Sequence, residues 1–240
     1  VKAFLFIPCL VEHVLPRVGE ATAMVLSRAG VAPELPAGQT CCGQFAYKRG
    51  RPDLTRPLAR RFVEIFEAAP VIVSPSASCT AMVRKYPTLF EAGDPWRDRA
   101  ARVAARTFEL GEFLVDKLGC PDLGSRYVAR ATLHASCQTT RALGVGDATE
   151  KLLAAVEGLT LLPLAHPERC CGFGGAFSVD YPEVSQAILA KKIDDIIATG
   201  AEAVITAEPS CLLNISSALA KRAVPVKALH LAEVLAGGEL

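Results

Sequence analysis

Two vicinal cysteine pairs, each followed by glycine, place the strongest constraint on this chain: "TCCGQ" at residues 40–44 and "RCCGF" at residues 169–173. Neighbouring cysteines are poor disulfide partners, because the bridge needs well-separated Cα atoms and converging side chains. Two adjacent thiolates facing one object fit the pattern better. The pairs lie 129 positions apart, and the segments around them repeat in order. "AFLFI" (3–7) and "YVARATLH" (127–134) read as strands, each followed by a cysteine, Cys9 and Cys137. A helix and a short extended segment then lead to each Cys-Cys-Gly loop. After it come a second helix (53–69; 181–200) and a β-branched strand, "VIVSP" or "EAVITAE", followed by Cys79 or Cys211.

Two cysteine sets fall into register: Cys9, Cys41, Cys42 and Cys79, then Cys137, Cys170, Cys171 and Cys211. Their gaps are 31, 0 and 36 intervening residues in the first set and 32, 0 and 39 in the second. Eight of nine cysteines are thereby accounted for, and Cys120 reads as a small buried hydrophobe. The period, near 130 residues, is too long for a solenoid and fits a duplicated domain. Alternating strands and helices, with strands that read as continuous apolar runs, predict an α/β fold: a duplicated, pseudo-twofold pair of Rossmann-like domains with mostly parallel sheets. The boundary falls near residues 122–126, giving units 1–122 and 123–240. The first unit closes with a connector in which the periodicity predicts one long helix over 96–118.

Each cysteine follows a predicted strand. In parallel sheets those carboxyl ends share one edge, where ligands bind. Cys79 and Cys211 also stand near helix starts, where the local field favours thiolate. Gly43, Gly172, Gly174 and Gly175 permit close backbone approach, with N–H groups aimed at bound sulfur or anions. Four thiolates per half suit an iron–sulfur cluster or a tetrahedral zinc. Zinc sites usually draw their ligands from short hairpins, whereas these are spread over three strand ends. Adjacent cysteines can also reach neighbouring irons of a cluster. Stereochemistry therefore favours one or two iron–sulfur clusters of the 4Fe-4S kind, with zinc as the alternative. His13 and His134 stand close to Cys9 and Cys137 and read as neighbours of a centre or surface residues, not ligands. His166 and His230 belong to no constellation.

The remaining composition excludes several classes. A formal net charge of +1 leaves no footprint for nucleic acid. No apolar run reaches the ~18–20 residues of a membrane span. The opening "VKAFLFIPCL" reads as a buried strand and not as a signal peptide. An odd cysteine count argues against a disulfide framework and for a cytoplasmic location. "CCGFGG" fails the G-x-G-x-x-G spacing of a dinucleotide loop.

The doubled pattern resembles the cysteine-rich CCG domain of heterodisulfide reductases and of glycolate-oxidase iron–sulfur proteins. "QTCCGQ", "FELGEFLVDKLG", "RCCGFGGAFSVDYPEVSQAILAKKI" and "LHLAEVL" resemble most closely the lactate-utilization protein A family. The resemblance implies an oxidoreductase subunit that carries iron–sulfur centres during oxidation of a small 2-hydroxy acid, L-lactate to pyruvate. It also implies two partners, a ferredoxin-like iron–sulfur subunit and a third lactate-utilization component. The chain departs from its relatives at two places. Ser76 and Glu208 stand where heterodisulfide-reductase domains have a fifth cysteine, and "HASCQ" (134–138) replaces the family's "HDSCH". A zinc-braced assembly protein and a thiol–disulfide enzyme are the rival readings of the same cysteines.

Overall fold

Residues 2–237 are described by a computed structural model, organised around two small parallel sheets, one in each half. β1 (Lys2–Leu5), β2 (Ala32–Glu34), β3 (Ile72–Ser74) and β4 (Thr107–Glu109) lie in the order β2-β1-β3-β4. β5 (Arg126–Leu133), β6 (Glu157–Leu162), β7 (Ala203–Thr206) and β8 (Lys227–His230) lie in the order β6-β5-β7-β8. Every pairing is parallel. Parallel neighbours need a long crossover, and here helices supply it. Pro16–Arg28 connects β1 to β2 and Pro52–Phe66 connects β2 to β3; Gly146–Ala154 and Pro182–Ala198 do the same in the second half. Three of these four begin at proline, whose fixed φ suits a first helical turn and whose missing N–H costs nothing there.

The inner strands β3 and β7 are buried at every position, as the apolar reading expects of a strand covered on both faces. β5 differs. Arg126, Val128 and Arg130 point to solvent in alternation, so this strand covers the core with one face only.

The single connector helix expected over 96–118 is not formed. The chain makes a helix at Pro95–Ala104, then β4, then a helical turn at Leu110–Glu112 that widens through Phe113–Lys117. Thr107 is fully buried, its hydroxyl donating to the Val103 carbonyl at 2.9 Å, and the Ile72 N–H donates to the Arg106 carbonyl at 2.8 Å. Pairing with β3 thus overrides a local helical pattern across three residues. β8 completes the second sheet in the same way.

The halves share one hydrophobic core. Leu5, Val25, Val73, Leu110 and Leu114 from the first pack in one cluster with Leu152, Leu153, Ile205, Leu231 and Leu235 from the second. Arg28 Nη1 donates to the Leu235 carbonyl at 2.9 Å, and His230 Nε2 donates to the Pro75 carbonyl at 3.0 Å. The first contact ties the halves at the amino edges of the sheets, and the second, where β8 and β3 end, holds their carboxyl edges close together.

Candidate metal centres

Each cysteine set converges at the carboxyl edge of its sheet. Cys9 opens the helix Cys9–His13 just beyond β1, and Cys79 lies in the first turn of Ala77–Lys85 beyond β3. Cys137 follows β5, and Cys211 lies in the first turn of Pro209–Lys221 beyond β7. The vicinal pairs enter from the loops after β2 and β6. Cys42 Sγ lies 3.4 Å from Cys79 Sγ, and Cys171 Sγ lies 3.1 Å from Cys211 Sγ. These four thiols are buried; Cys9, Cys41 and Cys137 are half-buried and Cys170 is exposed, so each quartet has a sealed end and an open end.

The loops are pinned alike in both halves. Gly43 and Gly172 adopt φ of +80° and +84°, a region that side-chain-bearing residues avoid. Each turns its N–H back onto the first cysteine of its pair, Cys41 Sγ at 3.4 Å and Cys170 Sγ at 3.3 Å. The following helix grips the glycine carbonyl, through Thr55 in one half (3.5 Å) and Ser185 in the other (2.8 Å). The second cysteine's carbonyl is held too, by the Tyr86 hydroxyl at 2.9 Å and by Asn214 Nδ2 at 2.8 Å. Gly174 and Gly175 also have positive φ and line the second quartet's opening, without an N–H directed at a cysteine sulfur.

The thiols divide their protons unequally. Hydrogen bonds from Cys42 and Cys9, aided by the Gly43 N–H, pull Cys41 down to about 2. Cys170 is pulled to about 2 by Cys137 and Cys171, aided by the Gly172 N–H. Their thiol neighbours Cys9, Cys42, Cys137 and Cys171 are pushed up, first by donating to that thiolate and then by burial. Cys211 falls to about 7, chiefly through the hydrogen bond from Cys171 and against the effect of its burial. Each half therefore holds a ready thiolate, Cys41 or Cys170, beside two thiols that keep their protons. A cation or cluster entering would displace the remaining protons. Four soft sulfur donors, with no carboxylate among them, suit iron–sulfur clusters or zinc.

Glu208 forms the wall between the quartets. Fully buried, its carboxylate accepts from the Ser78 N–H at 2.8 Å, the Ser78 hydroxyl at 3.0 Å and the Ser210 hydroxyl at 2.9 Å. The Ser210 N–H at 3.3 Å and the Ser76 hydroxyl at 3.4 Å complete its shell. One carboxylate thus caps the two helices that carry Cys79 and Cys211. Together with Gln44, Phe173, Ser78 and Ser210, it lines the openings of both quartets.

The two repeats coincide with a known domain. A family model described as "Cysteine-rich domain" (CCG) matches residues 3–84 and 131–216, and each stretch contains one quartet. The chain is 48% identical over 236 residues to "Lactate utilization protein A" of an Exiguobacterium species, covering 98% of this chain and 96% of that protein. It is 42% identical to the proteins of that name from Bacillus subtilis and Geobacillus kaustophilus, over 98% of each chain. The chain belongs to the lactate utilization protein A family.

Within this family frame several residues went unread in sequence. Tyr86, Thr55, Asn214 and Ser185 anchor the Cys-Cys-Gly loops, yet only the spacing of the two hydroxyls after their glycines, 12 and 13 residues, hints at it. His13 is exposed and His166 likewise. His134 is buried beside the sulfurs of Cys171 and Cys211, one ring nitrogen within 4.8 Å of both. Cys120 lies between the halves, half-buried where the sequence suggests full burial; its thiol rests on the Asp122 carbonyl, and it joins neither quartet. Among the described residues, no helix is long and apolar enough to cross a membrane.

Proposed function

We propose that this chain is an electron-transferring subunit in the oxidation of lactate, a small 2-hydroxy acid, to pyruvate, with Cys9, Cys41, Cys42 and Cys79 holding one iron–sulfur cluster and Cys137, Cys170, Cys171 and Cys211 a second. The observation that carries the reading is the convergence of four thiols in each half, at a sheet edge both halves share. Iron–sulfur clusters bound there supply one-electron storage and transfer. Oxidising a 2-hydroxy acid to its 2-oxo acid releases two electrons and two protons, so a pair of one-electron centres matches the stoichiometry. Glu208 keeps the two ligand-bearing helices in fixed register, and the half-open ends at Cys9, Cys41, Cys137 and Cys170 face the surface where a donor or acceptor would dock. A ferredoxin-like iron–sulfur subunit and a third lactate-utilization component are the proposed partners.

The test is oxygen-free purification followed by iron, acid-labile sulfide and zinc analysis with a visible spectrum. Near-equal iron and sulfide, with a broad absorbance bleached by dithionite, is the expected result. Cys42→Ser and Cys171→Ser are each expected to lower iron and sulfide, and Cys120→Ala to leave both intact. Zinc alone, with no colour after reconstitution, would overturn the redox reading.

A further inference from the structure

The two quartets have unequal surroundings, and one side chain makes the difference chemical. His134 and Phe6 occupy matching places, three residues before Cys137 and Cys9. Their backbones confirm the match: the Phe6 N–H donates to the Val73 carbonyl at 2.9 Å, and the His134 N–H to the Ile205 carbonyl at 2.8 Å. Phe6 is fully buried against Phe62, edge to face at 4.8 Å between centroids. His134 is 1% exposed, and neither ring nitrogen has a hydrogen-bond partner. A buried polar group without a partner is costly and rare in folded proteins. The sulfurs of Cys171 and Cys211 and an imidazole nitrogen of His134 all lie within 4.8 Å of one another. Imidazole is a good ligand for iron, zinc and cobalt, and burial beside two thiols is where such a ligand finds its partner.

We infer that His134 donates a ring nitrogen to the metal held by the second quartet, so that this half carries a mixed sulfur–nitrogen centre while the first half, with Phe6 in the same place, carries an all-sulfur one. The inference rests on the reading that the quartets hold metal and goes beyond it by making them chemically distinct. An added neutral imidazole changes the donor set of one centre without adding charge, so the two centres would differ in potential and would not be interchangeable stores for the electrons.

Cobalt(II) alone is the probe. The full reduced chain is loaded with it without oxygen, and proton NMR is searched for an exchangeable imidazole resonance shifted far outside the diamagnetic range. One such resonance is expected in the wild type and in His13→Ala, and none in His134→Phe or His134→Gln. All four proteins should keep the thiolate-to-cobalt absorbance. Absence of the resonance from the wild type, or its survival in either His134 variant, would overturn the inference. The wild-type spectrum decides even if one variant fails to fold. Iron and sulfide analysis separates the two claims. Clusters without an imidazole signal would leave the redox function standing and remove this inference; the signal without iron or sulfide binding would do the reverse.

Discussion

Gly172 carries more of the second centre than a residue without a side chain suggests. Its φ of +84° disfavours any Cβ, and a Cβ built there would lie 2.5 Å from the Ser185 carbonyl oxygen, a backbone atom that cannot swing away. Moving the loop to relieve that overlap would withdraw the N–H from Cys170 and shift both vicinal thiols. Gly172→Ala is therefore expected to cost about 2–4 kcal/mol, combining left-handed strain with overpacking, and to release metal from the second quartet alone. Gly50 is the control. It has φ of +71° on the exposed surface, with nothing within 4 Å of a built Cβ, so Gly50→Ala should cost only ~1 kcal/mol. Chemical denaturation and metal analysis of both variants check this. Equal losses would show that strain alone, and not the Ser185 contact, governs the loop.

At the scale of elements, the edge strands β4 and β8 end in matching caps. Glu109 and His230 each accept an N–H from the helix that follows, in a reciprocal capping box with Glu112 or Glu233. Both side chains are fully buried, and burial pushes Glu109 up to about 8 and His230 down to about 4. The signs oppose. Protonated Glu109 lends stability that is complete below its unfolded value near 4.5 and is lost as pH rises through about 8. Neutral His230 lends stability that is complete above about 6.5 and is lost as pH falls toward 4. Between 4.5 and 6.5 the two slopes cancel, and above 6.5 Glu109 is the one of this pair that still slopes. The lowered thiols Cys41 and Cys170 slope the opposite way, so the Glu109 contribution is read against Glu109→Gln, as a drop of about 1–3 kcal/mol in wild-type stability relative to that variant from pH 6 to pH 8. Glu109→Gln keeps an oxygen for the Gly111 and Glu112 N–H groups (2.8 and 3.1 Å) and should lack that drop. Urea titrations at the two pH values measure it; an unchanged slope in the variant would assign the fall elsewhere. These same edge strands are what the sequence conceals. "RTFELGE" continues a helical period, and "KALH" is four residues long, so only pairing with β3 and β7 makes them strands. The cysteine quartets were legible because duplication writes their spacing twice. The environment of His134 was not, because burial beside Cys211 depends on how β5 and β7 pair, which no local pattern records.

The molecule as a whole repeats in sequence and coheres in space. Two stretches match one domain type, yet the largest buried cluster draws on both, and Leu110, Phe113 and Leu114 from the first half pack in one cluster with Leu152, Leu153 and Leu231 from the second. A half released from its partner would expose that cluster, a loss that small domains with short sheets cannot absorb. Polar links add to it at the edge where the quartets lie. Arg49 pairs with Asp180, with Nε to Oδ2 at 3.0 Å, Phe45 meets Phe173 edge to face, and Glu208 binds both Ser78 and Ser210. The exposed ion pair contributes little by itself; the shared core and the buried carboxylate dominate. Unfolding of the metal-free chain should therefore be one transition in which both halves melt together. Leu114→Ala, a deletion in the shared core, is expected to cost ~2–4 kcal/mol and to move that single transition without splitting it. The sole tryptophan, Trp96, reports on the first half, and a label at exposed Val179 reports on the second. Coincident curves from the two probes would mean that geometry at one quartet is felt at the other through the core between them. Separate curves would mean that the halves are independent carriers joined by a surface, and that the constraint at Glu208 ends with the two helices it caps.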